Sequence, residues 1–104
     1  MHMAAHSMFL AMVLVNAKRT QACSVVLAVE GATPRIEMLL ADGSRRPLVA
    51  PPAEVLLEIV ALLEQGQREC SSSVYAVNIE EVTVQRGIDS AQAHISRWSV
   101  GHCE

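Results

Sequence analysis

The sequence PPAEVLLEIVALLEQG, residues 51–66, carries the clearest structural pattern in the chain. Its apolar side chains recur three or four residues apart, as they do on one side of an α-helix, and its polar side chains fall on the opposite side. Proline is favoured at a helix start and glycine just past a helix end. The stretch therefore predicts an amphipathic helix whose buried side consists of Leu56, Ile59, Val60 and Leu63.

Two strand patterns precede this helix. Residues 24–30 are rich in β-branched side chains and end at a glycine, and residues 35–40 alternate polar with apolar side chains after a turn at Thr33-Pro34. Both patterns are typical of strands, the second of a strand with a single buried face. Asp42-Gly43 predicts a chain reversal, because glycine tolerates a positive φ, and Leu48-Val49 leaves room for a third short strand.

Two further strands follow the helix after a polar segment, residues 67–73, whose serines suit a surface loop. Apolar side chains alternate from residue 74 to residue 84, but they change parity in the middle. One extra residue near Glu80-Glu81 would keep them on one face, so the pattern predicts a β-bulge there. Residues 87–90 predict a turn, and residues 91–100 the last strand.

A second helix is predicted near the start of the chain, from Ser7, which can cap it, to Gln21. Its first two turns, Met8–Val15, are apolar on nearly every side, which implies burial on several faces or contact with a second subunit. The run is too short to span a bilayer, which needs about 20 residues in a helix. Lys18-Arg19 follow the run and no positive charge precedes it, which is the wrong polarity for a signal peptide.

The predicted order, α-β-β-α-β-β, favours an α+β fold in two layers, with both helices on one face of a mostly antiparallel sheet. A chain of 104 residues has the usual length of one domain and can bury one core. We therefore expect a single domain over residues 1–104, with loose termini at residues 1–6 and 101–104.

Composition argues against several classes of function. The chain is 51% hydrophobic and 18% charged, which is typical of a folded chain and not of a disordered one. Its few aromatic residues cannot form a base-stacking surface, and its net charge of −3 comes without a basic patch, so nucleic-acid binding is not expected. The cysteines, odd in number and widely spaced, indicate free thiols in a reducing, cytoplasmic compartment.

Histidine and cysteine supply the candidate chemical sites. His2 and His6 are four residues apart and could bind a metal on one side of a helix, against the alternative of a frayed terminus. His102-Cys103 could form a reactive pair, but neighbours along a strand point to opposite faces. Cys23 is interpreted as a small buried apolar residue and Cys70 as a loop thiol. We therefore assign no catalytic residue, metal or cofactor.

Surface segments offer two candidate interaction sites. Arg45 and Arg46 present two guanidinium groups, which could pair with carboxylates or phosphates on a partner, or could belong to an ordinary charged turn. Ser71–Ser73 could be phosphorylated or hold an anion, or could form a solvated loop. The first helix carries the sharper hypothesis, because its apolar turns exceed what a small two-layer domain covers. We expect a homodimer, or docking to a larger assembly, through Phe9, Leu10, Val13 and Leu14.

The order of the elements carries one family resemblance. An apolar first helix is followed by the strand Cys23–Leu27, a second strand, the turn at 41–43, Pro51-Pro52 and the helix at 54–63. This succession, over Met8–Gly66, resembles the N-terminal domain of type II secretion and type IV pilus assembly ATPases. In that family the domain precedes the ATP-hydrolysing core. The resemblance implies a stand-alone relative of an accessory domain, acting by contact.

The chain departs from that family at its polar positions. The family pattern Ser-Asp-Ile-His-Ile-Glu keeps only Ser24, and Val25, Leu27 and Val29 stand where the Asp, His and Glu would fall. Residues 69–73 stand where Gln-Asp-Gly-Arg would follow the second helix. No stretch matches the phosphate-binding pattern G-x-x-x-x-G-K-[ST], and the chain ends before an ATPase core could begin. We therefore expect no ATP hydrolysis by this chain alone.

Two classes of function stay open. The first is a protein-binding or adaptor domain, which needs only a complementary surface. The second is a small ligand-binding protein or enzyme that uses cysteine and histidine, and it needs convergent polar groups in a pocket. A pocket lined by more than one of Cys23, Cys70, His94 and Cys103 would favour the second.

Overall fold

The computed structural model describes residues 2–103, and the side chains of residues 5–103. These residues form two helices and a sheet of six strands, in the order α-β-β-β-α-β-β-β. The elements are α1 (His2–Arg19), β1 (Ser24–Glu30), β2 (Thr33–Leu39), β3 (Arg45–Leu48), α2 (Ala53–Glu64), β4 (Glu69–Ser71), β5 (Tyr75–Arg86) and β6 (Ser90–His102). The predicted α+β class is confirmed, but the predicted order is incomplete, because it omits β3 and β4. The third short strand that Leu48-Val49 left room for is β3, and it lies at Arg45–Leu48.

The sheet is antiparallel throughout, and its spatial order is β3-β2-β1-β6-β5-β4. The first and last strands of the chain, β1 and β6, pair at its centre. Leu27 of β1 lies between Ile36 of β2 and Ala93 of β6, so these three side chains share one face. All three are fully buried in the core. The opposite face carries polar residues such as Glu37 and Gln92, as expected where one sheet face meets water.

Helix α2 forms as the sequence predicts. Its buried residues are Leu56, Ile59, Val60 and Leu63. Pro52 stands at its N-cap, and Gly66 follows its end with φ of +105°, a conformation that glycine adopts without strain. The helix contacts the central strands β1 and β6, and also β5 and β2. The amphipathic pattern thus identifies both the element and the side chains that it buries.

Helix α1 begins at His2 and not at Ser7, so the predicted cap is wrong. Ser7 lies inside the helix, and its hydroxyl oxygen accepts a hydrogen bond from the Ser71 amide at 3.0 Å. The helix ends at Arg19. Residues 2–6 are therefore helical, and residues 101–102 belong to β6, where the sequence suggests loose termini.

One side of α1 packs into the core. Leu10, Leu14 and Ala17, three or four residues apart, are buried there. The Trp98 indole donates to the Leu14 carbonyl at 3.0 Å. The Lys18 ammonium lies 4.7 Å from the centre of the same ring and donates to the Trp98 carbonyl at 2.7 Å. Trp98 therefore holds the C-terminal half of α1 against β6.

The predicted bulge in β5 is confirmed. Ile79 lies opposite Trp98 and Val82 lies opposite Ile95, and the register shifts on both sides of Glu81 between them. Ile79 is buried, and Val82 packs partly buried against the same core. The shift therefore lets both halves of a twelve-residue strand turn their apolar side chains inward.

Two turn or loop predictions are wrong. Residues 67–73 contain strand β4, in which Cys70 pairs with Val77 and is buried. A strand of three residues is too short to show a periodic pattern, so only its pairing with β5 reveals it. Thr33-Pro34 opens strand β2, and the turn lies at residues 31–32, where Gly31 has φ of +62°.

Each edge strand has an outward backbone position that cannot pair with another strand. The Leu40 amide donates to the Ser44 carbonyl, and bonded positions alternate along an antiparallel pair, so Arg46 and Leu48 also bond to β2. Pro47 lies between them and points outward, and its nitrogen carries no hydrogen to donate. On β4 the amides of Glu69 and Ser71 point outward, and that of Ser71 is bonded to Ser7. Both arrangements disfavour binding by strand addition.

Candidate functional site

A concave, mainly apolar surface lies along the outer side of α1. It is formed by that side of the helix, the end of β3 and the loop between β4 and β5, and it encloses about 670 Å³. We call it the α1 depression. Its exposed apolar residues are Met8, Met12, Val49 and Val74, and its half-buried aromatic residues are Phe9 and Tyr75.

The exposed apolar side chains of the described residues concentrate here. Six large apolar side chains are more than a third exposed, and four of them line the α1 depression. Met12 is 61% exposed and Met8 48%. The other two, Leu57 and Ile88, lie elsewhere. Single exposed apolar side chains are ordinary on a protein surface, but a group of them on one concave surface indicates a contact site.

The α1 depression is cationic, although the chain carries a net charge of −3. The residues that line the depression come from three stretches of sequence that contain no Asp or Glu, which are residues 1–29, 43–53 and 71–79. Among the described residues that line it, Arg19 is the charged one. Its guanidinium donates to the Tyr75 hydroxyl and lies 5.3 Å from the centre of that ring. The aromatic ring therefore holds the positive charge in a fixed place at the rim.

The residues predicted for an interface on α1 lie mostly beneath the surface. Leu10 and Leu14 are buried in the chain's own core, and Val13 is buried at the base of the depression. Phe9 is half-buried and lines the depression. The exposed apolar surface of α1 therefore belongs to other residues of the same helix, Met8 and Met12, on the stripe that faces away from the sheet.

Arg45 and Arg46 lie on β3, and both are exposed. The Arg45 guanidinium is 3.6 Å from the Glu37 carboxylate. Neither arginine lines the α1 depression. Val49, which does line the depression, follows Arg46 by three residues in the sequence, so both arginines lie close to it along the chain.

Cys70 and Cys103 both line an open trough over β4, β5 and β6. A pocket lined by two of the candidate cysteines and histidines is the arrangement that a ligand-binding or catalytic role would require. Burial raises the pKa of the Cys70 thiol to about 12, so this thiol stays protonated at neutral pH and is a poor nucleophile. The Cys103 thiol donates to the Ser72 carbonyl at 3.6 Å. The His102 ring packs on Tyr75, with 5.3 Å between ring centres. The trough is therefore lined by two thiols, and among the described residues neither is hydrogen-bonded to an imidazole.

Two cysteines have environments opposite to those predicted. Cys23 is exposed and Cys70 is buried. His6 is buried, and its Nε2 lies 3.4 Å from the Glu58 carboxylate, whereas the side chain of His2 lies outside the described residues. Across the side chains that the structure describes, no group of three His, Cys, Asp or Glu could hold a metal ion.

The serine-rich segment is structured by its own hydrogen bonds. The Ser72 hydroxyl accepts from the amides of Val74, at 3.3 Å, and Tyr75, at 3.1 Å. The Ser72 amide donates to the Tyr75 carbonyl. These amides are therefore occupied and do not form an anion cradle.

His94 lies on the polar face of the sheet, opposite Val26 on one neighbouring strand and Thr83 on the other. Its Nε2 is buried and has no hydrogen-bond partner. Neither the α1 depression nor the trough includes it. Sequence reasoning names His94 as a possible pocket residue, but the fold places it apart from both thiols of the trough.

No protein-family model, no curated protein and no solved structure matches the chain. Within residues 2–103, neither helix combines the length and apolar character that crossing a bilayer requires.

Proposed function

We propose that the chain is a non-catalytic protein-binding module whose α1 depression holds an apolar, acidic segment of a partner protein. One observation carries the proposal: four exposed apolar side chains from separate parts of the chain meet on one concave surface whose charged residue is a cation. The proposal needs no reacting group and no cofactor, only a partner of matching shape and charge.

Apolar contact is the main source of binding free energy in this proposal. Met8 and Met12 are unbranched and polarizable, so they adapt to apolar side chains of different shapes. Covering such a side chain completely contributes about 1.5–3 kcal/mol, and roughly half of each methionine is still open to water. The two methionines together with Val74 therefore offer about 3–4 kcal/mol, to which charge pairing at the rim adds.

Charge determines the kind of occupant. If a second copy bound through the same surface, the two depressions would face each other and bring the two Arg19 side chains into one interface. Like charges across an interface are unfavourable. An acidic segment would instead pair with Arg19. The surface is also concave, which fits a protruding peptide segment better than a flat bilayer. We therefore favour a different protein over a second copy or a membrane.

The proposal includes the two-layer arrangement, in which both helices cover one face of the sheet and α1 keeps its outer stripe free. It also includes a role like that of the accessory domain of secretion and pilus assembly ATPases, which acts by contact from the cytoplasmic side. Support for this part comes from the order of elements over Met8–Gly66 in the sequence. A partner in such an assembly would carry the acidic segment.

A random peptide library displayed on phage tests the proposal, with the full chain as bait. Binders are selected on the wild-type chain and depleted on Met12→Glu, which places a carboxylate in the depression. We expect the enriched peptides to combine apolar with acidic residues, and to bind the wild-type chain at least tenfold more tightly than the variant in fluorescence anisotropy. Ile88→Glu, which adds the same charge at an exposed apolar position elsewhere, should bind as the wild type does.

Several results would contradict the proposal. Enriched peptides without acidic residues, or equal binding to the two Glu variants, would remove the depression as the site. A dimer in sedimentation equilibrium that Met12→Glu dissociates would assign the surface to a second copy of the chain. Co-flotation with phosphatidylserine vesicles that Met12→Glu abolishes would assign it to a membrane surface.

A further inference from the structure

A separate apolar cleft lies between the two helices, on the inner side of α1. It encloses about 250 Å³, and its floor is formed by β4 and β5. Leu10 of α1, Ile59 and Leu63 of α2, and Ile79 of β5 provide its apolar walls. It shares no lining residue with the α1 depression. The cleft is therefore separate from the α1 depression, and it adjoins the trough over β4, β5 and β6, with which it shares Ser7, Gln67, Glu69 and Cys70.

The positions of the helices explain why the cleft exists. Helix α1 packs mainly against β4 and β5, whereas α2 packs mainly against β1 and β6, so the two helices touch each other little. At the gap, α1 presents Ser7 and β4 presents Cys70, and both side chains are small. Neither fills the space that a leucine or phenylalanine would take, although protein cores are usually packed without such gaps.

The polar groups of the cleft set the chemistry of an occupant. The Ser7 hydroxyl accepts from Ser71, and the Gln67 side-chain amide donates to the Glu69 carbonyl at 2.7 Å. The buried His6 imidazole lines the cleft, and its Nε2 lies 3.4 Å from the exposed Glu58 carboxylate. An unpaired charge on a ligand would be costly among apolar walls, and the carboxylates of Glu69, which lines the cleft, and of Glu58, beside His6, would repel an anion.

We infer that this cleft binds a small, uncharged, mostly apolar molecule, with its apolar body between the helices and one hydrogen-bonding group near His6. A cavity of about 150 Å³ holds a benzene molecule, so a cleft of about 250 Å³ admits a fused two-ring aromatic or a medium-length aliphatic alcohol. The polar lining is short of groups that recognise a sugar, a nucleotide or a phosphate. The cleft therefore selects ligands by the size and shape of their apolar part, with one polar contact.

Titration of the full chain, ¹³C-labelled at Ile and Leu methyl groups, with indole tests this inference by NMR. We expect saturable shifts at Ile59, Leu63 and Ile79, with a dissociation constant of roughly a millimolar or below, as suits a ligand of this size. Benzoate, a charged aromatic of similar size, should bind at least tenfold more weakly. The peptide surface is not involved, so this titration succeeds or fails independently of the proposed partner.

A filled cleft supplies the matched control. Leu62 is half-buried and lines the cleft, whereas Leu57 lies on the same helix outside it. Leu62→Trp should weaken indole binding at least tenfold, and Leu57→Trp by less than twofold. If Leu62→Trp does not fold by circular dichroism, Cys70→Met fills the cleft from its floor and should give the same loss. Indole that fails to saturate, binds both tryptophan variants equally, or is matched by benzoate would overturn the assignment.

Discussion

Truncation of Leu14 to alanine tests whether α1 belongs to the core of its own chain. The Leu14 side chain is fully buried, and its carbonyl accepts the indole hydrogen bond of Trp98. Leu→Ala changes at fully buried sites cost about 3–5 kcal/mol, because they remove apolar contact and leave a cavity. Met12→Ala, on the opposite side of the same helix and 61% exposed, should change the free energy of unfolding by less than about 0.5 kcal/mol.

Urea unfolding followed by the fluorescence of Trp98 measures both values, because this ring packs against α1. With a denaturant slope of about 1.5–2 kcal/mol per molar urea, Leu14→Ala should lower the midpoint by about 2 M. If the truncated chain has no folded baseline, Leu14→Val removes one methylene and should cost about 1 kcal/mol. Both midpoints should be independent of protein concentration.

A different outcome would refute this packing. If Leu14→Ala cost no more than Met12→Ala, the apolar side of α1 would not be buried by its own sheet. A wild-type midpoint that rises with protein concentration would show instead that a second copy buries the helix.

Four further outcomes follow from individual contacts. Cys23 and Cys103 should react rapidly with a disulfide reagent in the folded chain and Cys70 only on unfolding, and three equal rates would contradict the burial of Cys70. The pKa of Cys70 is about 12 in the folded chain and 9.0 without burial, so this thiol ionises first in the unfolded chain. Stability should therefore fall as pH rises above 9, by up to about 1.4 kcal/mol per pH unit. Calorimetry should not find this contribution in Cys70→Ala. Gly66→Ala should lower the free energy of unfolding by about 1 kcal/mol or more at its positive φ, and a neutral result in urea unfolding would exclude that conformation. Pro47→Val restores an outward amide on β3 and should cause concentration-dependent association in light scattering, whereas an unchanged monomer would mean that Pro47 does not guard that edge.

Elements with a strong local pattern could be predicted from the sequence. Helix α2 has apolar residues at helical spacing between a Pro-Pro start and Gly66, and both its bounds and its buried side follow from that pattern. The bulge beside Glu81 follows from a change of parity in the apolar residues of β5. In both cases the local pattern and the tertiary structure require the same arrangement.

Elements that depend on pairing could not be predicted. Strand β4 has three residues, and its sequence resembles a polar loop until β5 is placed beside it. The burial of Cys70 follows from that pairing. Cys23 lies just before β1, outside the sheet, and is exposed, which its apolar sequence neighbours do not reveal. Ser7 resembles a cap in sequence, but it bonds to Ser71, far along the chain.

The sequence identifies helix α1 as the element that carries the candidate site, but it does not identify which residues of the helix are exposed. The apolar excess on α1 predicts an interface on this helix, and that interface stays a prediction. A helix that is apolar on nearly every side does not reveal which side meets the sheet, so Leu10 and Leu14 were indistinguishable from Met8 and Met12. The tertiary structure buries the leucines and leaves the methionines exposed.

The methyl signals of the methionines provide the most direct test of the proposed binding surface. The chain is labelled with ¹³C-methyl methionine and titrated with an enriched acidic, apolar peptide. We expect the signals of Met8 and Met12 to shift and saturate together, while the signal of Met38, which is buried in the core, stays in place. Saturable binding that leaves Met8 and Met12 unshifted would place the peptide elsewhere and contradict the proposed role of the α1 depression.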